Sequence, residues 1–349
     1  MKFNKEVNGK ALDAAIKKGI DYLLTCNSNG RWKGFPTQAG ESDIWVTGFV
    51  LAHIRKLCQQ TEAISEAENF LLKSRHADGG WSYSSHVPSD ADSTAWCLQA
   101  LQSCKDFTEP DNEKATTFLW SHLANGGVST YRIDSGIREF ISAPADEFIA
   151  GWTSPHPDVS IAAVLADLQN EKAAEIINWL TKQQTGKGFI NSYWWRGPHY
   201  TTTLLLRAVS NKKQQLSNEH AGLIAESLVH EQLADGGFSL DSSLVMNPFT
   251  TALALESFSH LAYMGWRNER MNCADALQNT QQDNGGWAGD YILRIPAPYI
   301  TDPNEVVSWN NADGGGNSLI EDKDGLFATA MSCYALDCWR NAETKNNTI

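Results

Sequence analysis

Apolar residues come in paired bursts along this chain, each pair split by a glycine-rich turn that carries an aromatic. The first burst runs from Ala11 to Leu24, turns at Gly30-Arg31-Trp32, and resumes from Trp45-Val46-Thr47 to Ile54. The second has Phe70-Leu71-Leu72, the turn Gly79-Gly80-Trp81, then Ala95 to Leu101. The third has Phe118-Leu119-Trp120, Gly126-Gly127-Val128 and, after a long loop, Asp158-Val159-Ser160-Ile161. Gly186-Lys187-Gly188-Phe189, Gly236-Gly237-Phe238 and Gly285-Gly286-Trp287 mark three further turns, each followed by a Thr-rich apolar stretch. A spacing of about 50 residues is that of a helical-pair repeat. Six such pairs leave no room for a second domain, so residues 1–349 are expected to form one all-α unit. Small residues on one face of each second helix suit tight inner packing. The terminal copies are as apolar as the others, whereas an open solenoid needs polar caps. The expected architecture is therefore a closed (α/α)6 toroid around a central cavity.

The turns have a structural explanation. Glycine permits the positive φ that ends a helix, and the Trp or Phe fills the groove between pairs. Glutamines just upstream (Gln183, Gln184, Gln281, Gln282) can bond the turn backbone. The stretch from His76 to Leu101 asks for more. It places Asp90, Asp92 and Ser93 where an apolar helix begins. Helix capping accounts for such residues, but two carboxylates facing a core are expensive to bury. An acid chemistry is the other explanation.

Composition narrows the partners. A formal charge of −13 disfavours nucleic acid and anionic lipid, which call for basic surface. No apolar run reaches the roughly 18 to 20 residues that span a bilayer. The polar start, MKFNKEVNGK, lacks the apolar core of a signal peptide. Seven scattered cysteines fit a reduced, cytoplasmic chain and none is spaced as a zinc site. Thirteen tryptophans are many, and imply packing, a cavity lining, or both.

With the turns and the acid motif combined, the sequence resembles the squalene–hopene cyclases and related class II terpene cyclases. Gln281 to Trp287 follows their Gln-x-x-x-Gly-x-Trp repeat, and Asp90-Ala91-Asp92-Ser93-Thr94-Ala95 follows their Asp-x-Asp-Asp-Thr-Ala block. The resemblance spans all six repeats but only one of that family's two helical domains. It implies that Asp92 is a general acid, supported by Asp90, which protonates an alkene or epoxide of an isoprenoid and starts carbocation cyclisation. It also implies a substrate cavity lined by Tyr83, Trp96, Tyr131, Trp152, Asp158, Trp194, Tyr200 and Phe327. No cofactor is implied, and Mg²⁺ enters only if the substrate carries a diphosphate. A diphosphate could then be met by Arg132, Arg196 and Arg294 at one rim and a metal by the Glu321-Asp322-Lys323-Asp324 run, although solvated loop residues are the first reading of both sets. Two departures stand out: Ser93 replaces the motif's last Asp, and Ala162 falls where the family has a histidine beside the acid. Both are expected to weaken the acid. Asp-Ser-Thr-Ala is similar to the Asp-Cys-Thr-Ala of oxidosqualene cyclases, which favours an epoxide. A hydrophobic small molecule is the expected partner, with peripheral membrane association open.

Other readings use the same toroid. Zinc-dependent prenyl transfer needs Asp, Cys and His ligands, and the last inner helix supplies Cys333 without a His. A glycan-active toroid would use two carboxylates, drawn from Asp92 with Asp158, Glu139 or Glu147. A third possibility is a toroid without catalysis that binds a lipid or a biosynthetic partner.

Overall fold

The computed structural model describes residues 9–58, 60–310 and 314–346. Most of the polar start noted above, residues 1–8, lies outside them. Twelve helices carry the architecture: α1 (Gly9–Cys26), α2 (Ile44–Ile54), α3 (Glu62–Ser74), α4 (Ala91–Leu101), α5 (Glu109–Trp120) and α6 (Pro157–Ala166), then α7 (Lys172–Thr181), α8 (His199–Asn211), α9 (Asn218–Glu231), α10 (Pro248–His260), α11 (Arg267–Thr280) and α12 (Leu326–Asn346). Each even-numbered helix packs on the next even-numbered one, and α12 packs back on α2, so six inner helices close a ring. The odd-numbered helices form the outer layer.

The residue patterns explain this division. Outer helix α1 buries Leu12, Ala15, Ile16, Gly19, Ile20 and Leu23, one stripe at three- and four-residue spacing. Inner helix α2 buries ten of its eleven residues, as a helix surrounded by protein must. Small residues let the layers approach. A side chain at Gly19 would begin 2.4 Å from Cys333 Sγ, so glycine is needed where α1 crosses α12.

One hydrogen bond recurs in all six repeats. The backbone N–H of the turn aromatic or its equivalent donates to a Thr or Ser hydroxyl one turn into the inner helix. The pairs are Trp32–Thr47 (3.0 Å), Trp81–Thr94 (2.9 Å), Val128–Ser160 (2.7 Å), Ile190–Thr202 (3.0 Å), Phe238–Thr251 (2.9 Å) and Trp287–Thr329 (2.9 Å). The indole N–H of Trp32, Trp81 and Trp287 reaches back to the outer helix, to the carbonyls of Leu23, Leu71 and Leu277. The upstream glutamines behave as their position suggests. Gln184 donates to Gly188 O, Gln232 to Gly236 O and Gln281 to Gly285 O. Gln281 also donates to Ala15 O, tying the last turn to the first helix and helping to close the ring. Gly285 itself has φ +92° and stands where a Cβ would meet Lys18 O at 2.5 Å.

Three short two-stranded ladders, which the helical periodicity does not foresee, decorate the inter-helix loops: 34–37 with 40–42, 123–124 with 127–128, and 293–295 with 318–320. All seven cysteines are free thiols. No helix among the described residues is long and apolar enough to cross a membrane.

Candidate active site

The repeated hydrogen bond sets a register that locates the site. Each inner helix begins three residues before its Thr or Ser, at Ile44, Ala91, Pro157, His199, Pro248 and Leu326. The residue two before the hydroxyl is therefore equivalent in every repeat: Trp45, Asp92, Asp158, Tyr200, Phe249 and Phe327. Neighbours among them touch or couple. Trp45 Nε1 donates to Asp92 Oδ2 at 2.8 Å, the Trp45 and Phe327 rings are 4.9 Å apart, and those of Tyr200 and Phe249 are 6.4 Å apart. Two acids thus sit in an otherwise aromatic layer.

Trp195 lies over this layer. Its ring stacks on Tyr200 at 4.0 Å and on Phe249 at 5.4 Å, and lies 5.9 Å from Trp45 and 5.7 Å from Phe327. Above it opens a cavity of about 520 Å³. Trp45, Asp90, Asp92, Ser93 and Trp195 form its base; Tyr83, Tyr131, Trp152 and Trp194 are aromatic wall; Gln38, Phe140, Ser142 and Gly316 stand at its exposed rim.

The acid motif divides into distinct tasks. Asp90 caps α4, with Oδ1 accepting from Ser93 N and Oδ2 from Ser93 Oγ, both at 2.7 Å. Burial pushes its pKa up to about 7, while the two Ser93 bonds pull toward the ionised form. Capping and acid chemistry are therefore both present in one motif. Asp92, in the first turn of α4, lines the base of this cavity and is half-buried. Burial first, then the charges of Asp90 and Asp158, raise its pKa well above the carboxylate range. Of the three buried acids Asp92 is pushed furthest toward the protonated form, while hydrogen bonds pull Asp90 and Asp158 back toward the ionised form. The Trp45 indole N–H, aimed at Oδ2, stabilises the carboxylate that forms when that proton leaves.

Sequence-derived positions fare unequally. Asp90, Asp92, Ser93, Tyr83, Tyr131, Trp152 and Trp194 all line the cavity. Trp96, Asp158, Tyr200 and Phe327 do not, which corrects the expected wall. Tyr200 and Phe327 are covered by Trp195. Trp96 is fully buried behind Asp92, against Phe49 at 4.8 Å. Asp158 Oδ2 is taken by the N–H groups of Tyr193 (3.2 Å) and Trp194 (2.8 Å), which shut it off from the cavity. Asp92 and Asp158 consequently do not face a common substrate as a glycosidase pair would, and Glu139 lies outside the lining.

The arginine rim does not form. Arg132 pairs with Asp134, Arg196 donates to Tyr291 O and Asp241, and buried Arg294 donates to Tyr193 O, Ser192 O and Asn304. Each guanidinium is used in fixing loops. The acidic run near α12 is likewise structural, since Asp322 Oδ2 accepts from Phe327 N (3.0 Å) and Ala328 N (2.9 Å). Among the described residues no His, Cys, Asp and Glu cluster has metal-binding geometry.

Several lining residues escaped sequence reasoning, among them Trp45, Thr130, Trp195 and Gln38, whereas Glu147, named there as a possible partner carboxylate, does line the cavity. Trp45 was findable, because it precedes Thr47 as Asp92 precedes Thr94. Thr130 is held by a directed chain. His156 Nε2 faces Gly151 O at 2.7 Å and so carries the hydrogen, which leaves Nδ1 to accept from the Thr130 hydroxyl at 2.8 Å. Thr130 Oγ1 in turn accepts from Trp194 Nε1 at 2.7 Å. Burial lowers the His156 pKa to about 3, so the imidazole is neutral and the chain fixes the Trp194 edge.

Comparison with solved structures places this geometry among cyclases. The chain is similar to a variant of type II terpene cyclase MstE from Scytonema in complex with merosterolic acid A, described as its product. The identity is 26%, the coverage 95% of this chain and 98% of that one, and the TM-score 0.88. A second MstE variant, in complex with geranylgeranyl dihydroxybenzoate, described as its substrate, matches at 25% identity over 95% and 98% of the chains with TM-score 0.87. A protein from Actinoplanes matches at 27% identity over 94% and 99%, with TM-score 0.86. No curated protein sequence matches. The pattern of the prenyltransferase alpha-alpha toroid domain covers residues 7–129 and 158–344, omitting the loop that supplies Thr130, Tyr131, Glu147 and Trp152 to the cavity. The match spans most of the sequence, and the chain belongs to the prenyltransferase alpha-alpha toroid domain family.

Proposed function

We propose that this protein is a class II terpene cyclase-like isomerase, which protonates a polyprenyl-type alkene or epoxide and folds the resulting carbocation into rings. The observation that carries the reading is a protonated Asp92 at the base of an aromatic-walled cavity. Asp92 donates its proton to the terminal double bond or epoxide oxygen, and the carboxylate left behind is met by the Trp45 N–H. Positive charge then moves along the chain past the faces of Trp45, Tyr83, Tyr131, Trp152 and Trp194. Two of the lining hydroxyls are fixed in direction: Tyr83 donates to Phe35 O, and Thr130 donates to His156 Nδ1 while accepting from Trp194 Nε1. The initiating proton comes from Asp92, so this step draws on no cofactor.

Ser93 and Ala162 are accommodated in the same reading. The two Ser93 bonds keep charge on Asp90, and Asp158 adds a second charge that helps hold the Asp92 proton. Exposed Phe140 gives a lipid-soluble substrate an apolar contact at the rim. The free cysteines fit a cytoplasmic setting. The test is product analysis by mass spectrometry with farnesyl, geranylgeranyl and triterpene-length alkenes and their terminal epoxides. The wild-type protein is expected to convert at least one into a cyclic isomer, and an Asp92→Asn protein with unchanged helical circular dichroism none. Unchanged product formation by Asp92→Asn removes the assignment.

A further inference from the structure

The two ends of the cavity say what enters it. At the deep end Trp195 is a floor rather than a wall. It stacks on Tyr200 and Phe249, and all three are almost fully buried, so the aromatic layer below is closed to substrate. The remaining space, about 520 Å³, is closed below by Trp195 and opens only at its rim, so a chain that enters ends against the Trp195 ring.

Among the described residues the lining offers an anion no cation. Its ionisable side chains are acids and phenols, Asp90 and Asp92 at the base, Tyr83 and Tyr131 in the wall and Glu147 toward the mouth. The closest cation along the loop, Arg138, donates to the carbonyls of Pro144 and Glu147 and is absent from the lining. A carboxylate such as Glu147 within low-dielectric walls, with no lining cation to offset it, repels an anion. Glu147, Ser142 and Gln38 at the mouth instead offer hydrogen bonds to a hydroxyl. Glu147 and Ser142 belong to the segment that the family pattern omits, so the head is read by a part of this chain the shared toroid does not supply.

We propose that the site selects a polyprenyl chain with an uncharged, hydroxyl-bearing head, Trp195 closing its deep end and Glu147 excluding anions. This rests on the cyclase reading above and narrows it to a substrate class.

The test uses tryptophan fluorescence titration of full-length Asp92→Asn protein with farnesol, geranylgeraniol, farnesyl diphosphate and squalene, alongside wild-type product analysis with the same compounds. Farnesol is expected to bind at least ten-fold more tightly than farnesyl diphosphate or squalene. Adding Glu147→Lys is expected to narrow or reverse the gap between alcohol and diphosphate. Adding Trp195→Ala, or the milder Trp195→Leu should the first fail to fold, is expected to raise squalene affinity several-fold. Equal or tighter binding of the diphosphate, with the wild type cyclising it, overturns the head selection while leaving the cyclase reading intact. Squalene affinity unmoved by both folded Trp195 variants overturns the floor. Failure of the wild type to bind or cyclise any polyprenyl compound overturns the cyclase reading, and this proposal with it.

Discussion

Asp92 and Asp158 hold the same place in neighbouring repeats, two residues ahead of the hydroxyl that anchors the turn, yet their surroundings divide them. Asp92 faces the cavity and receives a single indole N–H. Asp158 is sealed beneath the loop of the fourth repeat, where two backbone N–H groups on one oxygen and the nearby charge of Arg294 favour its ionised form. Burial raises both pKa values, but Asp158 has the compensating donors and Asp92 receives the extra repulsion. The repeat fixes where a carboxylate stands, and the loop laid over it decides whether that carboxylate faces the cavity or is sealed from it.

The difference can be broken by substitution. Asp92→Asn should lower turnover about a thousand-fold, within the range general acids contribute. Asp158→Asn, which still accepts the Tyr193 and Trp194 N–H groups, should cost far less at acidic pH. Steady-state product formation on the two folded variants checks the contrast, and comparable losses would contradict it.

The pH profile sharpens the same contrast. Asp92 is active when protonated, so the rate should be full below its raised pKa and decline as pH climbs through it. The charge of Asp158 is one cause of that elevation. Removing it should move the alkaline limb of the Asp158→Asn profile to lower pH, with the acid side unchanged. A limb that stays in place would leave Asp158 a purely structural role.

The smallest effect expected is on stability. Thr94→Val and Thr329→Val each orphan a buried turn N–H, at a cost of about 1 to 3 kcal/mol. Denaturant unfolding should find the two losses similar, because the bond is the same in the catalytic repeat and in one without a cavity-facing acid.

Much of this was legible before the fold was known. Periodicity gave six helix pairs, and the turn glycines and glutamines fill the structural places their spacing implied. The acid motif was readable because capping and burial constrain neighbours within one helical turn. What lay further apart in space was not. Trp195 belongs to a loop whose path no repeat dictates, and its stacking is what removes Tyr200 and Phe327 from the wall. The arginines were not legible for a related reason. Their distance from a turn gives no information on which carbonyls take up their donors, and Arg294 is used within the protein.

The central claim is that the first bond to hydrogen is made with a proton from Asp92, and cyclisation in D2O tests it most directly. The product of the wild-type protein should carry one deuterium at the carbon that initiates an alkene cyclisation, and Asp92→Asn should give no product. A cyclic product formed from an alkene without that deuterium, or one that still forms in Asp92→Asn, would contradict the account.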